Sequence, residues 1–232
     1  MLIDVITAFP SMINNTIQEG IIKRALANNL VHINIHDLRD WADDKHKTID
    51  DAPYGGGSGM IYKVEPLYNC LTDLHPDGLP EREAIILLSP RGKVYNQPGA
   101  VKLSLLDRII LICGRYKGID ERIKSFFPMT ELSIGDYILT GGEIAALVIL
   151  ETVVRLIPGA MKDIDSAMTD SFADNLLDCD YYTRPETFRG VSIPKILLTG
   201  DHKKIAEWRL KRKEEITKIN RPDLYNKYNK NR

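Results

Sequence analysis

Arg108-Ile109-Ile110-Leu111-Ile112-Cys113 runs straight into Gly114-Arg115-Tyr116-Lys117-Gly118-Ile119-Asp120. After Arg108 the first stretch has no polar position at period two. A half-exposed strand alternates, whereas one without a polar face is covered on both sides, as in a parallel sheet. The glycine- and charge-rich run that follows cannot continue such a strand and reads as a loop at its end. Ala84 to Leu88 repeats the pattern and is ended by Ser89-Pro90-Arg91-Gly92. Thr130 to Ile134 reads as a third strand, leading into Ser133-Ile134-Gly135-Asp136-Tyr137-Ile138-Leu139-Thr140-Gly141-Gly142-Glu143. Three strands in succession thus end in loops rich in glycine and polar groups. Open α/β sheets bind ligands at that carboxyl edge. The expectation is an α/β fold with a site there.

Leu2 to Ala8 reads as a first strand stopped by Phe9-Pro10, and Ser11 as the cap of a short helix. A helix from Ile21 to Asn28 and a strand from Val31 to His36 follow. On that strand His32, Asn34 and His36 share one face. With no carboxylate partner in register they read as polar surface in preference to a metal site. Lys63 to Leu74 has helical spacing, Pro76-Asp77-Gly78 is a turn, and Val101 to Leu106 and Glu121 to Phe127 are helix candidates. Trp41 to Met60 is long and irregular. Its Gly55, Gly57 and Gly59 lack both the preceding strand and the Lys-Ser/Thr of a phosphate-binding loop. It reads as a loop that closes over a substrate, with His46, Lys47 and Asp50 as polar contacts.

Glu143 to Leu156 is a helix apolar nearly all round, and so is buried in the core or against another subunit. On the residues alone, Arg155 near its end complements the helix dipole. Met161 to Ser171 has no apolar periodicity and carries Asp163, Asp165 and Asp170, which suits a linker. The domain expectation is therefore an α/β body over 1–160, a linker over 161–171 and a small helical domain over 172–232. In that domain Asp174 to Cys179 is expected to be followed by a Tyr181–Pro185 turn, an amphipathic helix from Ile205 to Ile219 and a frayed end from Asn226.

The chain has 232 residues, 44% of them hydrophobic and 27% charged, which suits a globular protein with a substantial core. Its longest apolar run, Ile144 to Leu150, is far short of the roughly 20 residues of a membrane helix. The N-terminus lacks the basic region of a signal peptide. Cys70, Cys113 and Cys179 are odd in number and widely spaced, which argues for reduced thiols in the cytoplasm and no cysteine zinc site. The net charge of −1 hides an asymmetry: Asp201 to Arg232 holds 11 Lys/Arg against 5 Asp/Glu, while the first 200 residues hold 20 against 27. A basic end on an acidic body is the footprint of a polyanion such as RNA, though charge alone fits a solvated helix equally well.

Several runs together resemble one family. They are Ser89-Pro90-x-Gly92, Cys113 to Arg122, Ser133 to Tyr137 with Gly141-Gly142-Glu143, and Asp51-x-Pro53-Tyr54-Gly55-Gly56-Gly57-x-Gly59-Met60. Arg155-x-Ile157-Pro158-Gly159, Asp170-Ser171-Phe172, Leu176 to Cys179, Tyr182 to Pro185 and Trp208-Arg209 continue it in order along nearly the whole chain. This resembles the bacterial tRNA (guanine-N1)-methyltransferase family, of the SPOUT methyltransferases. The resemblance implies a parallel sheet with a C-terminal trefoil knot, an exception to the avoidance of knots. It implies S-adenosylmethionine bent in the knot, against Leu87, Leu88, Ser89, Pro90, Gly114, Tyr116, Ser133, Ile134, Gly135, Asp136, Tyr137, Ile138, Leu139, Gly141 and Gly142.

It further implies a homodimer with composite sites and, as substrate, tRNA with a guanosine just 3′ of the anticodon. Asp170 matches the family's general base and Arg155 the cation beside the developing oxyanion. Without the resemblance, Asp170 reads as a helix N-cap before Ser171. Asp136 and Glu143, carboxylates in the opening loops, cede the base role to Asp170. His46, Asp50, Arg184, Lys203, Lys204, Arg209, Lys211 and Arg212 are the expected tRNA contacts, and magnesium is a candidate in catalysis. Lys117 departs from the acidic residue usual in the family, Ala52 and Ser58 from Arg and Pro, and Ala145 from Pro. Rival readings are a different RNA methyltransferase of the superfamily, a non-catalytic RNA-binding protein, and a nucleotide-binding enzyme using Gly55 to Gly59. The Asp170 to Arg184 run argues against the first, and the pairing of Arg155 with Asp170 against the second.

Overall fold

The computed structural model describes residues 1–75, 80–161 and 170–230. The chain divides into two compact units, Met1–Lys162 and Asp163–Arg232. The expected Pro76–Gly78 turn and residues 162–169 of the expected linker lie outside the described residues.

The first unit is built on five strands: β1 (Leu2–Thr7), β2 (His32–Asp37), β5 (Glu83–Val94), β6 (Arg108–Cys113) and β7 (Met129–Ser133). They lie in the order β2-β1-β6-β5-β7, every pair parallel. The all-apolar β6 sits at the centre, where both faces are covered, as its sequence requires. Ile109, Leu111 and Cys113 point to one core and Ile110 and Ile112 to the other. Each such buried side chain contributes about 1.5–3 kcal/mol.

The first core is closed by α1 (Pro10–Thr16), α2 (Gly20–Ala27) and α5 (Glu143–Val154); α4 (Gln97–Ser104) packs against α5. The second lies under α3 (Val64–Leu74) and two 3₁₀ turns, Leu38–Trp41 and Glu121–Ser125. Helix α5 places Ala146, Ile149, Leu150, Val153 and Val154 in the core but leaves Ile144 and Val148 exposed. The irregular region after Trp41 contains a two-residue ribbon, β3 (Asp50–Asp51) against β4 (Ile61–Tyr62), so residues 52–60 form its loop.

Several expectations are corrected. Ser89–Gly92 does not end β5. The ladder with β7 pairs Leu88 with Leu132, skips, and resumes with Lys93 opposite the same Leu132, so these four residues bulge out of a continuing strand. Helix α4 starts at Gln97, because the Asn96 side chain accepts from the Gly99 N–H at 3.0 Å. Helix α1 starts at Pro10, with Ser11 inside it. Residues 121–125 form a 3₁₀ turn in place of the helix expected to Phe127.

The histidine face is also corrected. Asp4 lies opposite Asn34 in the β1–β2 register and is fully buried. It accepts from Asn34 Nδ2 at 3.0 Å and from Arg108 Nε at 2.7 Å, and lies 2.7 Å from His36 Nε2. Burial alone would raise the Asp4 carboxyl, but the bonds from His36, Arg108 and Asn34 outweigh it and hold the group below its ordinary value. A depressed carboxyl contributes stability above the unfolded value, and that stability is lost as pH falls through the folded one. Asp4→Asn is therefore expected to cost about 1.5–3 kcal/mol at pH 7, the worth of hydrogen bonds to a charged group. The gap from wild type narrows below about pH 4. Urea unfolding across that range measures it.

In the second unit, turns and bends run over Ser171–Leu176. A hairpin follows, β8 (Thr187–Phe188) and β9 (Val191–Ser192), then α6 (His202–Asn220) and α7 (Pro222–Lys230). Asp201 caps α6 by accepting from the Lys204 N–H at 3.1 Å. The end is helical to Lys230, where fraying from Asn226 was expected.

Candidate active site

A cleft of about 400 Å³ opens at the bulge of β5 and the carboxyl ends of β6 and β7. Three loops line it: Leu87 to Arg91 from the bulge of β5, Gly114 to Ile119 after β6, and Leu132 to Gly142 from the end of β7. Every residue expected at the cofactor lines this cleft except Asp136. Asp136 follows Gly135, which has φ +146°, and does not face the space.

The loops are tied to one another by backbone. Gly142 N–H donates to the Gly114 carbonyl at 2.9 Å, and Arg115 forms a bridge with Gly141. Beneath them Glu143 is 1% exposed. Its Oε1 accepts from Thr7 Oγ1 at 2.9 Å and from Arg115 Nε at 3.1 Å, while the Arg115 guanidinium lies 3.9 Å from the Phe9 ring centroid. Glu143 therefore pins both glycine loops to the end of β1. Its charge is felt locally: burial and then Glu143 push the Tyr62 hydroxyl and the Cys113 thiol up. The sequence offered one sign of this pin, a carboxylate directly after Gly141-Gly142. Thr7 and Phe9, more than 130 residues earlier, gave none.

The lining suits an adenosyl ligand carrying an amino-acid tail. Apolar Leu87, Ile134, Ile138 and Leu139 meet backbone from glycine-rich turns, and Arg91, Arg115 and Lys117 supply positive charge. Magnesium does not fit as well. Glu121 is the one carboxylate among the described lining residues, and it is engaged by Arg91 and Lys124. Among the described residues no group of three or more His, Cys, Asp or Glu is arranged to hold a metal ion.

The expected catalytic pair falls in different units. Arg155 caps the C-terminus of α5, its N–H donating to the Glu151 carbonyl at 3.3 Å. Asp170 stands at the start of the second unit, in a turn closed by Ala173 N–H to its carbonyl at 3.3 Å. His46 lies in an exposed turn on the Asp44 carboxylate, and Asp50 in β3. Arg184, Lys203, Lys204, Arg209 and Lys211 are exposed. Arg212 differs: it donates from Nε and Nη2 to Asp180 at 2.9 and 2.7 Å and from Nη1 to Glu215 at 2.6 Å, so its guanidinium is engaged within the unit.

Comparison with known proteins agrees with this geometry. The family model described as tRNA (Guanine-1)-methyltransferase TrmD matches residues 1–227. A tRNA (guanine-N(1)-)-methyltransferase of Geobacter metallireducens is 46% identical over 227 residues, covering 98% of this chain and 92% of its own length. The same-named protein of Clostridioides difficile is 44% identical over 229 residues, 99% of each chain. That of Dehalococcoides mccartyi is 47% identical over 227 residues, 98% of this chain and 91% of its own. With the match covering residues 1–227 and the glycine loops meeting at one cleft, the chain belongs to the tRNA (guanine-1)-methyltransferase family.

Proposed function

We propose that this chain transfers a methyl group from S-adenosylmethionine to N1 of the guanosine immediately 3′ of the anticodon in tRNA. The observation that carries the reading is the cleft itself: the bulge of β5 and the ends of β6 and β7 converge on it, in a chain that matches the methyltransferase family over residues 1–227. The bound cofactor supplies an electrophilic methyl on a sulfonium. The residues lining the cleft bind and orient it, with glycine backbone against the adenosyl part and Arg91, Arg115 or Lys117 near the carboxylate of its tail.

Guanine N1 carries a proton at neutral pH, and Asp170 removes it. Negative charge then develops on O6, where Arg155 provides a fixed cation. The target base leaves its stack to reach the cleft. Lys203, Lys204, Arg209 and Lys211, with Arg184, His46 and Asp50, hold the tRNA; the lysines and arginines bind its phosphates in a salt-dependent way. No step is assigned to magnesium.

The wider architecture belongs to the same proposal: a SPOUT-type trefoil knot, a body over 1–160, a linker over 161–171 and a tRNA-binding domain over 172–232, acting in the cytoplasm. The return of residues 134–142 to the Gly114 loop before α5 re-enters the core supports the knot. The protein works as a homodimer in which Asp170 of one protomer completes the cleft of the other. Exposed Ile144 and Val148 on α5, with Val101 in α4 and Leu105 at its end, support that surface. Purified protein with labelled S-adenosylmethionine is expected to methylate unmodified tRNA bearing that guanosine, and to leave unlabelled a tRNA with adenosine there. Equal labelling of both, or none, would overturn the reading.

A further inference from the structure

The second unit carries a hairpin for which the proposed chemistry has no use. β8 and β9 pair Phe188 with Val191 and Thr187 with Ser192, whose hydroxyls lie 2.8 Å apart. Its two-residue turn is Arg189-Gly190, with φ of +50° and +84°. Positive φ at both central positions is the turn that matches strand twist, and it selects Asn, Asp or Gly at the first of them. An arginine there costs on the order of 1–3 kcal/mol of backbone strain, so its presence points to something other than folding.

The flanking residues point the same way. Phe188 is 62% exposed and Val191 75%, on a two-stranded ribbon that buries neither. The Arg189 guanidinium lies 5.4 Å from the Phe188 ring centroid. Along residues 184–195 the charges are Arg184, Arg189 and Lys195 against Glu186, all exposed. An exposed aromatic ring next to a cation, on a positive ribbon, fits nucleic acid: every base has a face to stack, and every nucleotide a phosphate to neutralise.

We propose that this hairpin is an RNA-docking element, in which Phe188 stacks on an unpaired base of the tRNA and Arg189 meets a phosphate. The proposal rests on the tRNA reading above and adds to it a surface that neither the cleft nor the basic helix α6 contains. Binding of unmodified tRNA to the full chain, titrated at several salt concentrations, tests it. Phe188→Ala is expected to weaken binding about tenfold, within the range of one lost stacking contact. Phe188→Trp keeps wild-type affinity, and Phe188→Leu loses as much as alanine, because an aliphatic side chain has bulk but no ring. Arg189→Ala lowers the slope of log affinity against log salt by about one. All variants keep wild-type S-adenosylmethionine affinity and protomer association.

A wild-type protein that binds no tRNA overturns the methyltransferase reading itself. A wild type that binds, with Phe188→Ala within twofold of it, overturns the hairpin alone. So does Phe188→Leu matching wild type, which would mean that bulk and not the ring makes the contact, or a change in protomer association on Phe188→Ala, which would make the patch a protein contact.

Discussion

Asp170→Ala is expected to lower the rate of methyl transfer by about 10²- to 10⁴-fold, the usual worth of a positioned base, while leaving cofactor affinity unchanged. The two halves of that expectation have separate physical origins. The cofactor cleft is lined by residues 87–145, all in the first unit, so a change in the second removes nothing from it. The chemistry is different. Guanine N1 is a poor nucleophile while protonated, and the barrier includes removing that proton at the moment the N–C bond forms. Water can accept it only without orientation. Single-turnover assays at saturating cofactor and tRNA isolate this step from binding and release. Asp170→Asn sharpens the comparison, since it keeps size and hydrogen bonding but cannot accept the proton, and it is expected to be as slow as alanine. Turnover near wild type in either variant would remove Asp170 as the base.

The sheet was legible because its evidence is local. Five residues with no polar alternation, Ile109 to Cys113, announce a strand covered on both faces, and β6 occupies that place. The loops after β6 and β7 were legible for the same reason, since glycine and charge end a buried strand there. What failed was whatever depended on a partner far along the chain. The bulge at Ser89–Gly92 looks like a terminus until β7 supplies Leu132 as the residue at which the ladder breaks and resumes. His36 looks like surface until β1 is known to lie beside β2 in parallel, with Asp4 opposite Asn34. Both histidine and aspartate are then parts of one buried network that includes Arg108 from a third strand. Glu143 was visible as a carboxylate near a ligand loop. Its burial against Thr7 and Arg115 makes it a support for that loop, which spacing along the chain cannot express. At Arg212 the charge was plain, but its partner Asp180, 32 residues earlier, was not.

Gly142→Ala is expected to weaken S-adenosylmethionine binding at least tenfold and to lower the melting temperature. Gly142 sits at the N-cap of α5 with ordinary helical dihedrals, φ −77° and ψ −7°, so backbone strain is not the reason. The reason is distance. A β-carbon at this position would lie 2.7 Å from Cys113 Cα and 3.2 Å from the Gly114 nitrogen, both of them backbone atoms that no rotamer change can move aside. Cys113 ends the central strand and is fully buried, so β6 cannot retreat and the start of α5 must. Forcing a methyl group into packing this tight costs about 1–3 kcal/mol. For a chain of this length each kcal/mol lowers the melting temperature by about 2–4 °C. The same displacement stretches the 2.9 Å bond from Gly142 to the Gly114 carbonyl and carries Gly141 away from Arg115, parting two of the three loops that line the cleft. Affinity therefore falls through displacement of the walls of the site, of which Gly142 is itself a part. Gly114→Ala separates this from a general intolerance of side chains: its added carbon would meet the Leu88 carbonyl at 3.6 Å, an ordinary contact, so the fold is expected to melt as wild type. Calorimetric titration with S-adenosylmethionine and thermal melts of both variants decide the matter. A Gly142→Ala protein with wild-type affinity and melting temperature would mean that α5 and β6 do not meet this closely, and that the cleft owes its shape to something other than their approach.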